Sequence, residues 1–243
     1  EEEQKQKEEE ERIRAEQEKK TAAARAEKEA ERDAARSKQL AEMKRFYFTP
    51  AVGSSYILYT ESYEAALSGI FVTPQLSMQY VVLPPWLTLQ ISAFITAVSF
   101  GSSRSDVNAR FFGGDANVGF SVPLSRTGVR LHMLGGWYYK TMFVSPATLG
   151  FQNLMGPTVY AMVDYRFKSG HSLGLFGKFS PAMSDTGFNP LNNREIVAGL
   201  MWSHQLTPRL SLPVQFEYSM IDLLLSNKNL QQRTFQVSVG LSL

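Results

Sequence analysis

The stretch from Leu87 to Ala97 constrains this chain more than any other. Its odd positions, Leu87, Leu89, Ile91, Ala93, Ile95 and Ala97, are all apolar, while Thr88, Gln90, Ser92 and Thr96 occupy even ones. A period of two means an extended strand with one oily and one wet face, because successive side chains leave a strand on opposite sides. The residues before it answer in kind. Val72, Leu76, Met78, Tyr80 and Val82 alternate with Thr73, Gln75, Ser77 and Gln79, and Pro84-Pro85 separates the two runs. The pair predicts a hairpin of 70–83 with 86–100. Its arms are about twice as long as a usual globular strand and have roughly the length a tilted strand needs to cross a bilayer.

A chain of 243 residues has room for one barrel or for two ordinary domains. The absence of cysteine excludes a disulfide scaffold and thiolate metal sites. A formal net charge of +2 leaves no footprint for nucleic acid. That balance hides an uneven layout, since more than half of the charged residues precede Arg45 and the remainder is rich in Phe, Tyr, Leu, Val, Ser and Gly. No apolar run reaches the roughly eighteen residues of a transmembrane helix. The chain opens Glu1-Glu2-Glu3 without a secretory leader, so an exported protein is expected here in a processed or trimmed form.

Residues 1–45 are almost entirely Glu, Lys, Arg, Ala and Gln, good helix formers with no Gly or Pro among them. Pairs four apart, such as Glu10 with Arg14 and Glu16 with Lys20, each add a few tenths of a kcal/mol, whereas Lys28 and Arg32 repel. The expectation is a long charged α-helix, about 65 Å if continuous. Its apolar stripe is thin: Ala23, Ala26, Ala30 and Ala34 at three-to-four spacing, with Ile13 before and Leu40 and Met43 after. That is too poor for a leucine-type coiled coil. A solvated spacer and an Ala-lined coiled coil or partner-docked helix both fit. In composition the segment is similar to the charged, alanine-rich spacers of periplasm-spanning envelope proteins.

From Phe46 the pattern turns to strands, read at 47–60, 70–83, 86–100, 108–123, 129–144, 156–167, 172–181, 194–206, 210–220 and 234–243. Short connections at Pro84-Pro85, Ser125–Gly128, Lys168–His171 and Thr207–Arg209 alternate with longer ones at 61–69, 101–107, 145–155, 182–193 and 221–233. Such alternation is what outer-membrane barrels show, with tight turns in the periplasm and long loops outside. Charge falls on one face of each strand. Val129, Leu131, Met133, Trp137 and Tyr139 alternate with Arg130, His132, Tyr138 and Lys140. A soluble lipocalin-like barrel would turn the oily face inward; a membrane barrel inverts it. Strand length favours the membrane, as do Tyr80, Trp86, Phe120, Trp137, Tyr139, Tyr165, Phe167, Trp202 and Tyr218 near strand ends, where aromatic girdles belong.

The last ten residues, Thr234 to Leu243, are apolar at every odd position and end on the strand. They resemble the C-terminal signal that the barrel assembly machinery reads in outer-membrane proteins, with Leu243 where Phe or Trp is usual. Residues 46–243 thus resemble the small outer-membrane β-barrels of the porin-like, OmpA-type superfamily. The fold expected is all-β: an antiparallel transmembrane barrel of about ten strands at 46–243, preceded by the charged helix of 1–45. The resemblance implies residence in the bacterial outer membrane, contact with its lipid, and a helix in the periplasm.

No motif names a reaction, a cofactor or a metal site. His132, His171 and His204 all fall near the short turns, and no Ser or acidic residue accompanies them in a recognisable motif, so a structural role is expected for them. That rim is also the wrong end for the known barrel enzymes, the omptin proteases, the outer-membrane phospholipase and the lipid A palmitoyltransferase, which work toward the outer half. Alternation points Asp115, Asp164, Glu195 and Glu217 inward together with Arg130, Lys140, Arg166 and Lys178, four of each sign. In a small barrel they either neutralise one another in a filled interior or line a narrow channel. The reading is of a non-enzymatic anchor whose helix tethers the barrel to a periplasmic or envelope-spanning assembly, or to copies of itself. A small channel for ions or solutes is the rival, and an outer-membrane enzyme a distant third.

Overall fold

A computed structural model describes Arg25, Glu31 and residues 45–62, 65–83, 86–96, 98–100, 108–124, 128–145, 150–167, 169–181, 183–184, 187–188, 193–207, 209–225 and 229–243. Arg25 and Glu31 are helical and exposed; the rest of the expected helix, with its stripe Ala23, Ala26, Ala30 and Ala34, lies outside the described residues. The chain divides into two units, Glu1–Met43 and Lys44–Leu243, and the second is a β-barrel.

Ten long strands form its wall: β1 (Phe46–Glu61), β2 (Ala65–Leu83), β3 (Leu87–Ile95), β4 (Asn108–Pro123), β5 (Val129–Ser145), β6 (Leu154–Arg166), β7 (His171–Pro181), β8 (Arg194–Thr207), β9 (Leu210–Leu224) and β10 (Asn229–Gly240). Each pairs antiparallel with its neighbours in sequence, and β1 pairs with β10 from Ala51↔Gly240 to Glu61↔Leu230, which closes the cylinder. Closure removes the exposed edges that an open sheet would present. Three short pieces, Val98–Phe100, Met183–Ser184 and Gly187–Phe188, extend the wall beyond β3 and β7.

The hairpin turns sit where their chemistry requires. Gly128 and Gly170 take φ of 96° and 83°, left-handed values that a side chain would strain, in the turns before β5 and β7. The Trp86 N–H reaches the Leu83 carbonyl at 2.6 Å to close the turn between β2 and β3. At this same end the chain enters and leaves the barrel. The Phe48 N–H donates to the Leu243 carbonyl at 3.1 Å, and the Leu243 N–H returns the bond to Phe48 at 2.9 Å.

Two of the expected long loops are strand instead. β2 begins at Ala65, so the connection expected over 61–69 shrinks to 62–64; β9 and β10 reach Leu224 and Asn229, so that of 221–233 shrinks to 225–228. The reason is that Leu67, Ile221, Leu223 and Leu230 turn inward and are buried together, so these extensions gain apolar contacts across the lumen. Strand β3 is also shorter than expected. Gln75 faces Phe94 but Val72 faces Val98, one extra residue on the second strand, and Thr96 at this bulge receives the Phe111 N–H on its hydroxyl at 2.6 Å.

The side chains are inverted relative to a soluble barrel. Leu89 (44 % exposed), Ile91 (59 %) and Leu175 (62 %) stand on the outer face among many other large apolar residues. Ser55, Thr73, Thr88, Asn117, Thr158, Ser180 and Ser238 are buried inside. In water such an encircling apolar belt would far exceed the few hundred Å² that soluble monomers expose; in a bilayer it is the solvated surface. Aromatics frame the belt. Phe46, Tyr80, Trp86, Phe120, Tyr165, Phe167 and Trp202 stand toward the turn end, and Phe112, Phe143 and Phe179 stand toward the loop end.

Candidate functional site

The lumen has two regions. At the loop end, inward residues of several strands form an apolar cluster that includes Ile57, Phe71, Phe111, Met142, Phe151, Leu154, Ile221, Leu223 and Leu230. Phe71 meets Phe111 edge-on with ring centroids 6.2 Å apart, and Phe111 lies 6.5 Å from Phe151. Buried Glu61 sits beside this cluster, where its carboxylate accepts the Tyr59 hydroxyl and, at 2.9 Å, the Gly150 N–H.

Below the cluster lies a cavity of about 450 Å³ whose wall runs from Ile57, Phe111 and Tyr138 down to Tyr47, Ser172, Ser211 and Ser242 at the turn end. Many of its lining residues carry a hydroxyl or an amide, among apolar ones such as Leu76, Phe94 and Phe176. Ser55 bonds Thr73 and donates to Gln236, both at 2.9 Å.

The eight charges read from the strand pattern fall into separate places. Lys140 donates to Glu195 at 2.5 Å, and Lys178 lies 3.8 Å from Glu195 and 3.6 Å from Asp115, so a bridged group spans the lumen from β4 and β5 to β7 and β8. Glu217 lines the same cavity and accepts the Gln215 amide at 2.9 Å. The Lys140 ammonium also stands 5.3 Å from the Phe94 ring centre, and that of Lys178 is 5.9 Å from Tyr138. Arg166 is exposed and Arg130 half-buried toward the turn end, and neither joins an ion pair among the described residues. Cations and carboxylates are therefore not matched level by level. The central group holds two lysines against three carboxylates.

Asp164 has a different partner. Its carboxylate contacts His132 Nε2, and the Nδ1 of the same ring lies 2.6 Å from the Ser121 hydroxyl. Sequence reasoning left His132 without a serine or an acid, and the structure supplies both. Ser121 faces His132 directly across β4 and β5, and Asp164 follows on β6, one strand further. No motif could reveal this, because the spacing of 121, 132 and 164 is set by hairpin register. His171 and His204 are elsewhere, paired across β7 and β8 on the outer face at the turn end. Their Nδ1 atoms lie 3.0 Å apart, and both rings stack on Trp202. Among the described residues no group of three or more His, Asp or Glu is gathered as a metal would need.

No known protein family matches the chain by sequence, and no curated protein matches it either. Solved structures do. The outer membrane protease OmpT from Escherichia coli superposes with a TM-score of 0.58 at 12 % identity, over 82 % of this chain and 96 % of that one. The translocator domain of the autotransporter NalP from Neisseria meningitidis covers 90 % of this chain and 96 % of its own, at 13 % identity and a TM-score of 0.48. Neisserial surface protein A covers 81 % and 96 % at 12 % identity, with a TM-score of 0.41. At such identities the likeness to OmpT is one of fold. With the inverted faces and closed ten-strand meander, it defines the chain as a small β-barrel of the outer-membrane class.

Proposed function

We propose that the protein resides in the bacterial outer membrane as an anchor, and that its charged N-terminal segment, on the periplasmic side, tethers the barrel to an envelope assembly or to further copies of itself. The observation that carries this reading is the obstructed bore. Among the described residues, the apolar cluster fills the loop end and the Lys140–Glu195–Lys178–Asp115 bridges cross the middle. Filled small barrels conduct poorly because side chains occupy the bore. In support, the first strand starts at the short-turn end, the end that faces the periplasm in outer-membrane barrels. An anchor at one end and a long run of helix-forming residues beyond it suit a tether.

The chain has no cysteine, so cysteines placed at Ala26, Ala30 and Ala34 would be unique reporters. Crosslinking in intact cells is expected to give bands to another envelope protein or to a second copy; absence of bands, with full function after deletion of 1–40, would refute the tether. The rival, a small channel, draws on the cavity that reaches the turn end. Planar-bilayer recording separates the two readings: an anchor gives no steady openings, whereas a channel gives openings whose size changes on replacing Lys178 or Glu217.

A further inference from the structure

Ser121, His132 and Asp164 form a continuous hydrogen-bonded row on the lumen wall. We propose that this row is a nucleophilic hydrolytic centre that cleaves small polar esters entering the cavity from the turn end. Ser121 is, among the described residues, the serine whose hydroxyl meets an imidazole, at 2.6 Å from His132 Nδ1. Asp164 is buried, and its carboxylate holds the opposite nitrogen of that ring. With the proton on Nε2 directed at Asp164, Nδ1 is left bare toward Ser121, the tautomer that a general base requires. The two ring nitrogens exchange their usual places in such a triad, but the relay of one proton through an oriented imidazole is unchanged.

The surroundings fit a substrate. Ser121 and His132 both line the 450 Å³ cavity, a volume in the range of small-molecule sites. The inward residues of β3 nearest in register are Thr88, opposite Gly119, and Gln90, opposite Asn117. Both line the same cavity, where a hydroxyl or amide N–H can face charge developing on a carbonyl oxygen. The many hydroxyl and amide side chains along the wall can bond a polar alcohol portion, such as a sugar or polyol, so a short acyl group on a polyhydroxy carrier is the class of substrate indicated.

The steps balance without an added oxidant or metal. Ser121 Oγ bonds to the ester carbonyl carbon while His132 Nδ1 takes its proton; the carbonyl carbon–alkoxide bond then breaks, and the alcohol leaves with the proton from Nδ1. Water attacks the acyl-Ser121 ester, giving a proton to Nδ1, which returns it to Ser121 Oγ as the carboxylic acid departs. Net, one ester and one water become one acid and one alcohol.

The test uses the full chain folded in detergent micelles, with folding followed by heat-modifiable migration. A fluorophosphonate probe and p-nitrophenyl acetate are the reagents. The expected result is labelling that maps to Ser121 and steady turnover, both lost in Ser121→Ala, with turnover falling at least about a hundredfold. His132→Gln, which keeps a polar side chain but no base, is expected to behave likewise. Asp164→Asn is expected to lower kcat with little change in KM, as befits a positioning residue and not a merely structural one. Absence of label on Ser121 in the folded wild-type barrel, label at other serines only, or turnover unchanged in folded Ser121→Ala would each overturn the proposal.

Discussion

At the loop end of the lumen the inward positions carry Ile57, Phe71, Phe111, Leu223 and Leu230, packed against one another and buried. Toward the turn end the same face of the same strands carries Thr49, Gln75, Ser77, Ser121, Ser211 and Ser238 around a cavity. The backbone is alike in both regions. What differs is how the space is filled, by apolar side chains that need no partner or by polar ones that face each other and the cavity. The contrast teaches that one period-two pattern builds both a stopper and a chamber, according to which residues occupy its inward register.

Several substitutions would break or sharpen the contrast. The largest effect is expected from Phe111→Ala, which opens a hole at the centre of the stopper and should cost about 3–5 kcal/mol. Urea unfolding of the barrel in lipid vesicles, followed by tryptophan fluorescence, reads it; Ser203→Ala in the chamber should change the same midpoint by no more than about 0.5 kcal/mol. Equal losses at the two positions would erase the distinction.

Between the regions, Lys140→Met strands Glu195 with only Lys178, 3.8 Å away, to balance it. A loss of about 3 kcal/mol is expected, and the double change Lys140→Met with Glu195→Leu should recover most of it, because two apolar side chains replace a pair that is costly to desolvate. If the double variant is no more stable than the single one, the bridge does more than neutralise charge. A smaller loss, about 1–3 kcal/mol, is expected for Gly199→Ala, where an added Cβ would lie 2.4 Å from the Phe176 ring and 2.5 Å from the Phe216 carbonyl. The smallest is on the outer surface. Asp222→Asn removes the charged partner of Arg233, 3.1 Å away and partly exposed, and leaves its bonds to the Ile221 and Gln232 carbonyls; it should cost under about 1 kcal/mol, fading as salt is added.

Much of the barrel was legible because its strands separate the two kinds of side chain cleanly. Leu87 to Ile95 did so, and the four tight turns stood out through Pro84-Pro85, Gly128, Gly170 and Pro208. The strand extensions at 65–69, 221–224 and 229–233 were illegible for the opposite reason. Both faces carry apolar or small residues at 65–69 and 221–224, as in Ile221, Leu223 and Leu224, and both carry polar ones at 229–233, as in Gln231 and Gln232, so alternation loses its contrast and the segments read as loops. The lumen charges were assigned to a face by parity, but parity says nothing of height along the barrel or of which strand lies across the bore.

The sequence by itself determined the local quantities: which residues are extended, which face is oily, where the chain turns, and that the first 45 residues obey different physics. Those follow from spacing within a single segment, since a strand's side chains alternate whatever it pairs with. Only the tertiary structure decided that Lys140 meets Glu195, that Ser121 and Asp164 meet the two nitrogens of His132, and that the loop end is closed by apolar side chains. Each of these depends on register between strands distant in sequence and on closure of β1 against β10. A shift of one residue in any pairing would reverse the faces or move the partners apart.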